Sequence, residues 1–235
     1  MPRVSVSPEQ PMLSLWDAPV TRSDHRSRIV AQSGDRVAWV RARSRGVTAT
    51  DAARLSSERA VKAVVYDKLL GSGFHGNAFT DHGRVREPEI ARWMAREHGI
   101  PSSTALFHAA SEKLHLATPD GVVERGGELL LAEIKTTGKA WRSIPRAYLR
   151  QVWWQQYVLG ADRTLVVWEQ HRDFVPLGTA PKCQWVERDE NEIHMLVGLA
   201  NRMLEALITP GILAQPGYER DGWRGGRSVV DKMYS

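Results

Sequence analysis

An α+β domain, with a central mixed or antiparallel sheet flanked by helices, is what this sequence predicts. Three observations carry the prediction. Segments with apolar residues at helical spacing open and close the chain, short strand-like runs lie between them, and residues 118–135 (TPDGVVERGGELLLAEIK) read as one hairpin. With 235 residues, the chain suits a single domain able to bury one core.

Taken in order, residues 1–23 are rich in Pro and Ser and read as a loose leader to a domain spanning 24–209. Residues 35–43 and 51–70 are helical in pattern; in the second, Ala60, Val61, Val64, Val65, Lys68 and Leu69 recur at helical spacing. Gly71-Ser72-Gly73 marks a turn, and residues 79–98 form another helical pattern that Gly99-Ile100-Pro101 stops. Strand-like runs follow at 105–108, 114–118 and 128–136. Ser143 and Pro145 suit the N-cap and first turn of a helix that Gly160 ends, 164–168 and 183–186 read as strands, and 190–208 as a closing helix. Residues 210–235 are a Gly-rich, basic tail, and no internal repeat is visible. This order predicts a central antiparallel meander with one helix inserted.

Composition narrows the chemistry. Cys183 is the only cysteine, which excludes an intrachain disulfide and a Cys-rich zinc or iron–sulfur cluster. No signal-like or membrane-spanning apolar run is present, so the default expectation is a cytoplasmic protein without a membrane partner. A net charge of +5 favours a polyanionic partner, and the arginines cluster at Arg36, Arg41, Arg43 and Arg45 and again at Arg142, Arg146 and Arg150. A solvated helix face is the competing reading for each cluster, and it weighs less for the first. His75, His82, His108 and His115 have no zinc-like spacing.

The hairpin holds the chemistry. Side chains alternate along a strand, so Leu129, Leu131, Glu133 and Lys135 share a face. With a turn at 124–127, Asp120 falls opposite Leu131 and Thr118 opposite Glu133, on that same face. Two carboxylates there suit a hard cation, and a lysine beside them suits a phosphate or an oriented water. The competing reading is a solvated Glu-x-Lys strand end after a Pro-Asp-Gly turn. Glu87 lies on a stripe with Phe79, Gly83, Ile90 and Met94, which turns it inward; alternatively a helix starts at Pro88 with Glu87 as its cap. Tyr148, Gln151 and Gln155 share one helix face, and Gln can orient water or touch phosphate without charge.

The pattern Pro119-Asp120, then Glu133-Ile134-Lys135, resembles the PD-(D/E)xK nuclease superfamily, and within it the lambda-exonuclease/YqaJ-like group of viral recombination exonucleases. The resemblance spans residues 39–169 and includes GVTATDAA at 46–53, GRVREP at 83–88 and YLRQ at 148–151. It implies a restriction-endonuclease-like core and a Mg²⁺-dependent (or Mn²⁺-dependent) exonuclease. Such an enzyme degrades one strand of linear double-stranded DNA from 5′-phosphate ends. By this resemblance Asp120, Glu133, the Ile134 carbonyl and Glu87 hold one or two ions, Lys135 positions the nucleophile, and Gln151 meets DNA phosphate or the attacking water. Thr48, Thr50 and an arginine, with Arg41, Arg43 and Arg45 all open, would grip the DNA end, and Thr118 is a second candidate for phosphate contact; Thr50 is equally a helix cap. A single-strand annealing protein and a homo-oligomer, a ring of three, are the implied partners. Nine tryptophans, among them Trp141, Trp153, Trp154 and Trp185, suit subunit contacts as well as a core. The rivals are an endonuclease on the same core and a DNA-binding protein without catalysis.

Overall fold

A computed structural model describes residues 24–70 and 77–209. The leader, the Gly71-Ser72-Gly73 turn, His75 and the basic tail lie outside the described residues. After a short 3-10 turn at His25–Arg28, the elements run β1 (Ile29–Gln32), α1 (Arg36–Arg45), β2 (Val47–Thr48), α2 (Ala49–Arg54), α3 (Glu58–Leu70), α4 (Ala78–His98), β3 (Ala105–His108), β4 (His115–Ala117), β5 (Gly121–Arg125), β6 (Glu128–Thr137), α5 (Arg146–Leu159), β7 (Arg163–Arg172), β8 (Val175–Pro176), β9 (Lys182–Glu187) and α6 (Glu190–Ile208).

Two sheets share the strands. The smaller has the order β1-β3-β4-β2; the larger runs β5-β6-β7-β8, with β9 also paired to β7. The expected meander is therefore mixed: β5 and β9 pair antiparallel to their neighbours, but β6 and β7 run parallel. A parallel pair needs a crossover, and α5 supplies it, which a reading that only counted an inserted helix did not resolve. The chain passes from the smaller sheet to the larger at residues 118–120.

The larger sheet is covered on both faces. Ala132 and Ile134 of β6 and Leu165 and Val167 of β7 pack against Ile90 and Met94 of α4. Leu129, Leu131 and Val166 turn to the other face and join Val152, Trp154 and Val158 of α5 in the main core. β6 accordingly reads as a nearly continuous buried run, as expected for a strand enclosed on both sides.

Two local expectations change, and one open alternative closes. The helix expected over 51–70 is two helices, because Thr48 caps α2 through a capping box with Asp51 and the chain breaks at Leu55. Pro145 is the N-cap of α5, without a side-chain cap bond, so Ser143 lies outside the helix. Pro88 sits inside α4 rather than at its start, so Glu87 is a helix-interior residue and not a cap. Trp153 and Trp154 are core residues.

Candidate active site

The site forms where β6 outlasts its partner. Gly126-Gly127 make a two-residue turn at positive φ, pairing Arg125 with Glu128 and Gly121 with Ala132. This register differs by two residues from the expected one, and one further step along it sets Asp120 level with Glu133 rather than Leu131. A two-residue slip preserves facing, so the acids still share a side. Beyond Ala132, β5 has ended and one edge of β6 is open. The Asp120 amide bonds the Ala132 carbonyl at 3.0 Å, and the Asp120 carboxylate then caps the open edge by accepting the Ile134 N–H at 2.7 Å. The Ile134 carbonyl points to the same open edge, since residues two apart on a strand direct their peptide groups alike.

Glu133 is 3 % exposed and Lys135 8 %. Such burial demands partners, and they are present. One Glu133 oxygen accepts from the Lys135 ammonium at 2.5 Å and from the Gln151 amide; the other accepts from the Gln155 amide at 2.6 Å. Lys135 also lies over the Tyr148 ring, 5.1 Å from its centroid. Tyr148, Gln151 and Gln155 thus form one stripe of α5, and the two glutamines bond the carboxylate directly. The solvated-face reading of Glu-x-Lys fails here.

Asp120 is held well above the usual carboxylate pKa, first by burial and next by the Glu133 carboxylate, with Lys135 opposing and Glu87 adding. Glu87 is exposed and not turned into the core as its stripe suggested. Its pKa is raised by the protein crowding it and then by Glu133. The negative charge of Glu133 thus disfavours ionisation of both Asp120 and Glu87. The adjacent Arg86 makes a two-point salt bridge with Glu169 of β7, at 2.8 and 2.7 Å, which pins α4 beside the end of β6. Neither Arg86 nor Glu169 was expected from the sequence; a charged pair 83 residues apart leaves no local pattern.

Among the described residues, no three His, Cys, Asp or Glu side chains are gathered into a ready-made metal cage. The donors still fit a hard divalent cation: oxygen ligands from Asp120, Glu133, Glu87 and the Ile134 carbonyl, in a spot of unbalanced negative charge. The Thr118 hydroxyl, buried and with no hydrogen-bond partner among the described residues, is a further oxygen near Asp120 in the chain.

The expected phosphate-gripping residues gather elsewhere, in a cleft of about 310 Å³ lined by Trp39, Val40, Arg43, Ser44, Thr48, Thr50, Asp51 and Lys68. Of the candidate arginines only Arg43 lines it; Arg45 is exposed on α1. Arg43 lies over the Trp39 ring at 4.3 Å, and burial lowers its pKa although Asp51 opposes this. Thr48 is the cap of α2 and its hydroxyl is engaged with Asp51, whereas Thr50 is exposed and does not cap. Lys68 was missed as a site residue. Its signal was a cation continuing the apolar stripe of Val61, Val64 and Val65; it pairs with Asp51 at 2.7 Å. The two places are joined through α5, where Arg150 donates to the Ala53 carbonyl at 2.9 Å next to Gln151.

Comparison with known proteins bears on the family and the fold. The family model for a YqaJ-like viral recombinase domain matches residues 38–162, more than half of the chain. No curated protein sequence matches. An alkaline exonuclease from Laribacter hongkongensis has a similar structure, with 22% identity, a TM-score of 0.57, and coverage of 72% of this chain and 91% of that one. A phage-related exonuclease from Haemophilus somnus 129PT follows with 15% identity, a TM-score of 0.53, and coverage of 69% and 95%. Identities this low speak for the fold, which is restriction-endonuclease-like; the family match is what places the sequence. This chain belongs to the YqaJ-like viral recombinase family.

Proposed function

We propose that the chain is a divalent-metal-dependent exonuclease that degrades one strand of linear double-stranded DNA from a 5′-phosphorylated end. The observation that carries this reading is the open end of β6, where Asp120, Glu133 and Lys135 converge with Glu87 facing them. Family membership and the exonucleases of similar fold support it.

Asp120, Glu133, Glu87 and the Ile134 carbonyl would hold one or two Mg²⁺ or Mn²⁺ ions. Bound there, such ions supply Lewis-acid activation of water and neutralise charge on the phosphate under attack. Lys135, held by Glu133 and Tyr148, presents its ammonium to the nucleophile or the scissile phosphate. Gln151 keeps Glu133 in place, and its remaining amide oxygen is available to a water. The cleft of Arg43 and Thr50, with Lys68 beside them, takes the terminal 5′-phosphate; a guanidinium fork and a hydroxyl suit that group. Thr118 meets a phosphate nearer the acids. A ring of three chains around the DNA, handing the exposed strand to an annealing protein, completes the reading. Burial of Trp153 and Trp154 withdraws two of the tryptophans that spoke for subunit contacts.

The test is digestion of linear DNA bearing 5′-phosphate or 5′-hydroxyl ends beside a covalently closed circle, with and without Mg²⁺. The expected result is Mg²⁺-dependent loss of linear DNA, faster with 5′-phosphate, and a smaller preference in Arg43→Ala. Efficient cutting of the closed circle would overturn the exonuclease reading in favour of an endonuclease.

A further inference from the structure

Gln155 is fully buried, yet only half of its amide is satisfied. Its Nε2 donates to Glu133 at 2.6 Å, whereas its Oε1 is enclosed with no hydrogen-bond partner among the described residues. A buried amide oxygen left unmade is costly, and an apolar side chain of similar size would avoid that cost. Such a group persists where its other half does something packing alone does not require.

That other half completes the hydrogen bonding of one carboxylate. Glu133 Oε1 already accepts from Lys135 and Gln151. With those contacts alone the carboxylate could turn about its terminal bond, because the last torsion of a Glu side chain is broad. Gln155 grips Oε2 from one helical turn further along α5, on the side away from Gln151, and so fixes the plane of the carboxylate. Its backbone is rigidly held: Trp154 donates to the Leu116 carbonyl at 3.0 Å, and Gln156 donates to Thr164 and to the Val186 carbonyl at 3.1 and 2.9 Å. Three consecutive side chains thereby lock this turn of α5 to both sheets.

We infer that Gln155 is a positioning residue, which sets the orientation of Glu133 for cation binding without touching cation or substrate. The inference rests on the nuclease reading of the site. Partners that orient a metal-binding carboxylate in this way typically change metal affinity or activity by about 10–100-fold when removed. A purely structural glutamine would change stability and leave both untouched.

The experiment compares the full chain with Gln155→Leu and Gln155→Met. Mn²⁺ binding is titrated by electron paramagnetic resonance, and kcat and KM on 5′-phosphorylated linear DNA are measured, all at a temperature where each variant is folded. The expected result is a half-saturating Mn²⁺ concentration raised about tenfold or more, with reduced kcat and near-constant KM for DNA. Metal-free Tm should change little, since the lost donor and the removed orphan acceptor oppose each other. Mn²⁺ binding and kcat equal to the parent in both variants would overturn the inference, whatever happens to Tm. Failure of the parent itself to bind Mn²⁺ and cut DNA would sink the nuclease reading and the inference with it; a parent that binds Mn²⁺ no better than its variants do sinks the inference alone.

Discussion

Replacing Gly46 with Ala tests how the end-gripping cleft is built. Gly46 closes α1, with its amide bonded to the Ala42 carbonyl, and the next residue pairs with β4 through a 2.7 Å bond from the Val47 amide to the Leu114 carbonyl. A Cβ at Gly46 would lie 2.6 Å from Leu116 Cδ1 and closer still to the Leu114 carbonyl oxygen. The leucine tip can yield, but the carbonyl is backbone and is already the acceptor for Val47. Overpacking of this kind costs about 1–3 kcal/mol, and weakening one backbone hydrogen bond adds about 1 kcal/mol. The sum, roughly 2–4 kcal/mol, should lower Tm by several degrees, at about 2–4 °C per kcal/mol for a chain of this size. The displacement falls on the last turn of α1, which carries Arg43, so preference for 5′-phosphate ends should shrink in step. Gly34→Ala is the control, because a Cβ there meets nothing within 4 Å. Thermal denaturation and paired digests with 5′-phosphate and 5′-hydroxyl ends give both readouts. If Gly46→Ala melts with the control and keeps its end preference, the close approach of α1 to β4 does not shape the cleft.

Asp120→Asn should raise metal-free Tm at neutral pH and abolish any rise in Tm on adding Mg²⁺. A carboxyl whose folded pKa is raised loses stability as pH climbs through that value, so removing its charge helps the empty site; scanning calorimetry with and without Mg²⁺ decides, and a lower metal-free Tm would refute the repulsion argument. His115, buried against Tyr157 and Trp154, has its pKa lowered from 6.5 to about 4 by burial. A base depressed in this way is stabilising when neutral, so stability should fall as pH drops from about 6.5 toward 4, by about 3 kcal/mol in full. Urea denaturation of the parent and His115→Gln across that window should diverge toward acid; parallel curves would exclude His115. Glu169→Gln, by leaving Arg86 with only the exposed Glu89 as counterion, should cost about 1.5–3 kcal/mol and reduce nuclease activity through Glu87 next door, and a double-mutant cycle with Arg86→Ala should show non-additivity.

What was legible in the sequence was local. β6 announced itself through its unbroken apolar run and its charged end, and α4 through a stripe that Pro88 did not interrupt. The acids of the hairpin were found although its register was off by two, because the side-chain period of a strand is two and the error was even. The parallel pairing of β6 with β7 was not legible, since periodicity says nothing about strand direction. Arg43 could not be chosen over Arg45 until α1 had a direction, because the cleft wall runs along Trp39, Val40, Arg43 and Ser44, a helical stripe that excludes Arg45. Gln155 was visible only as a polar residue on a face with Gln151. That it is buried depends on Glu133 being buried, which no sequence pattern states.

The Gly126-Gly127 turn fixes more than a reversal of the chain. It counts residues between Asp120 and Glu133, and the parity of that count decides whether the two acids can ever meet. A one-residue slip would swing Asp120 toward α4, and it would also exchange Val122, packed on the main core, with Val123, packed on the Ile90 and Met94 cluster. Two residues added there would lengthen the hairpin by one pair and leave Asp120 level with Glu133. Sequences that share this chemistry can therefore lengthen the hairpin in steps of two.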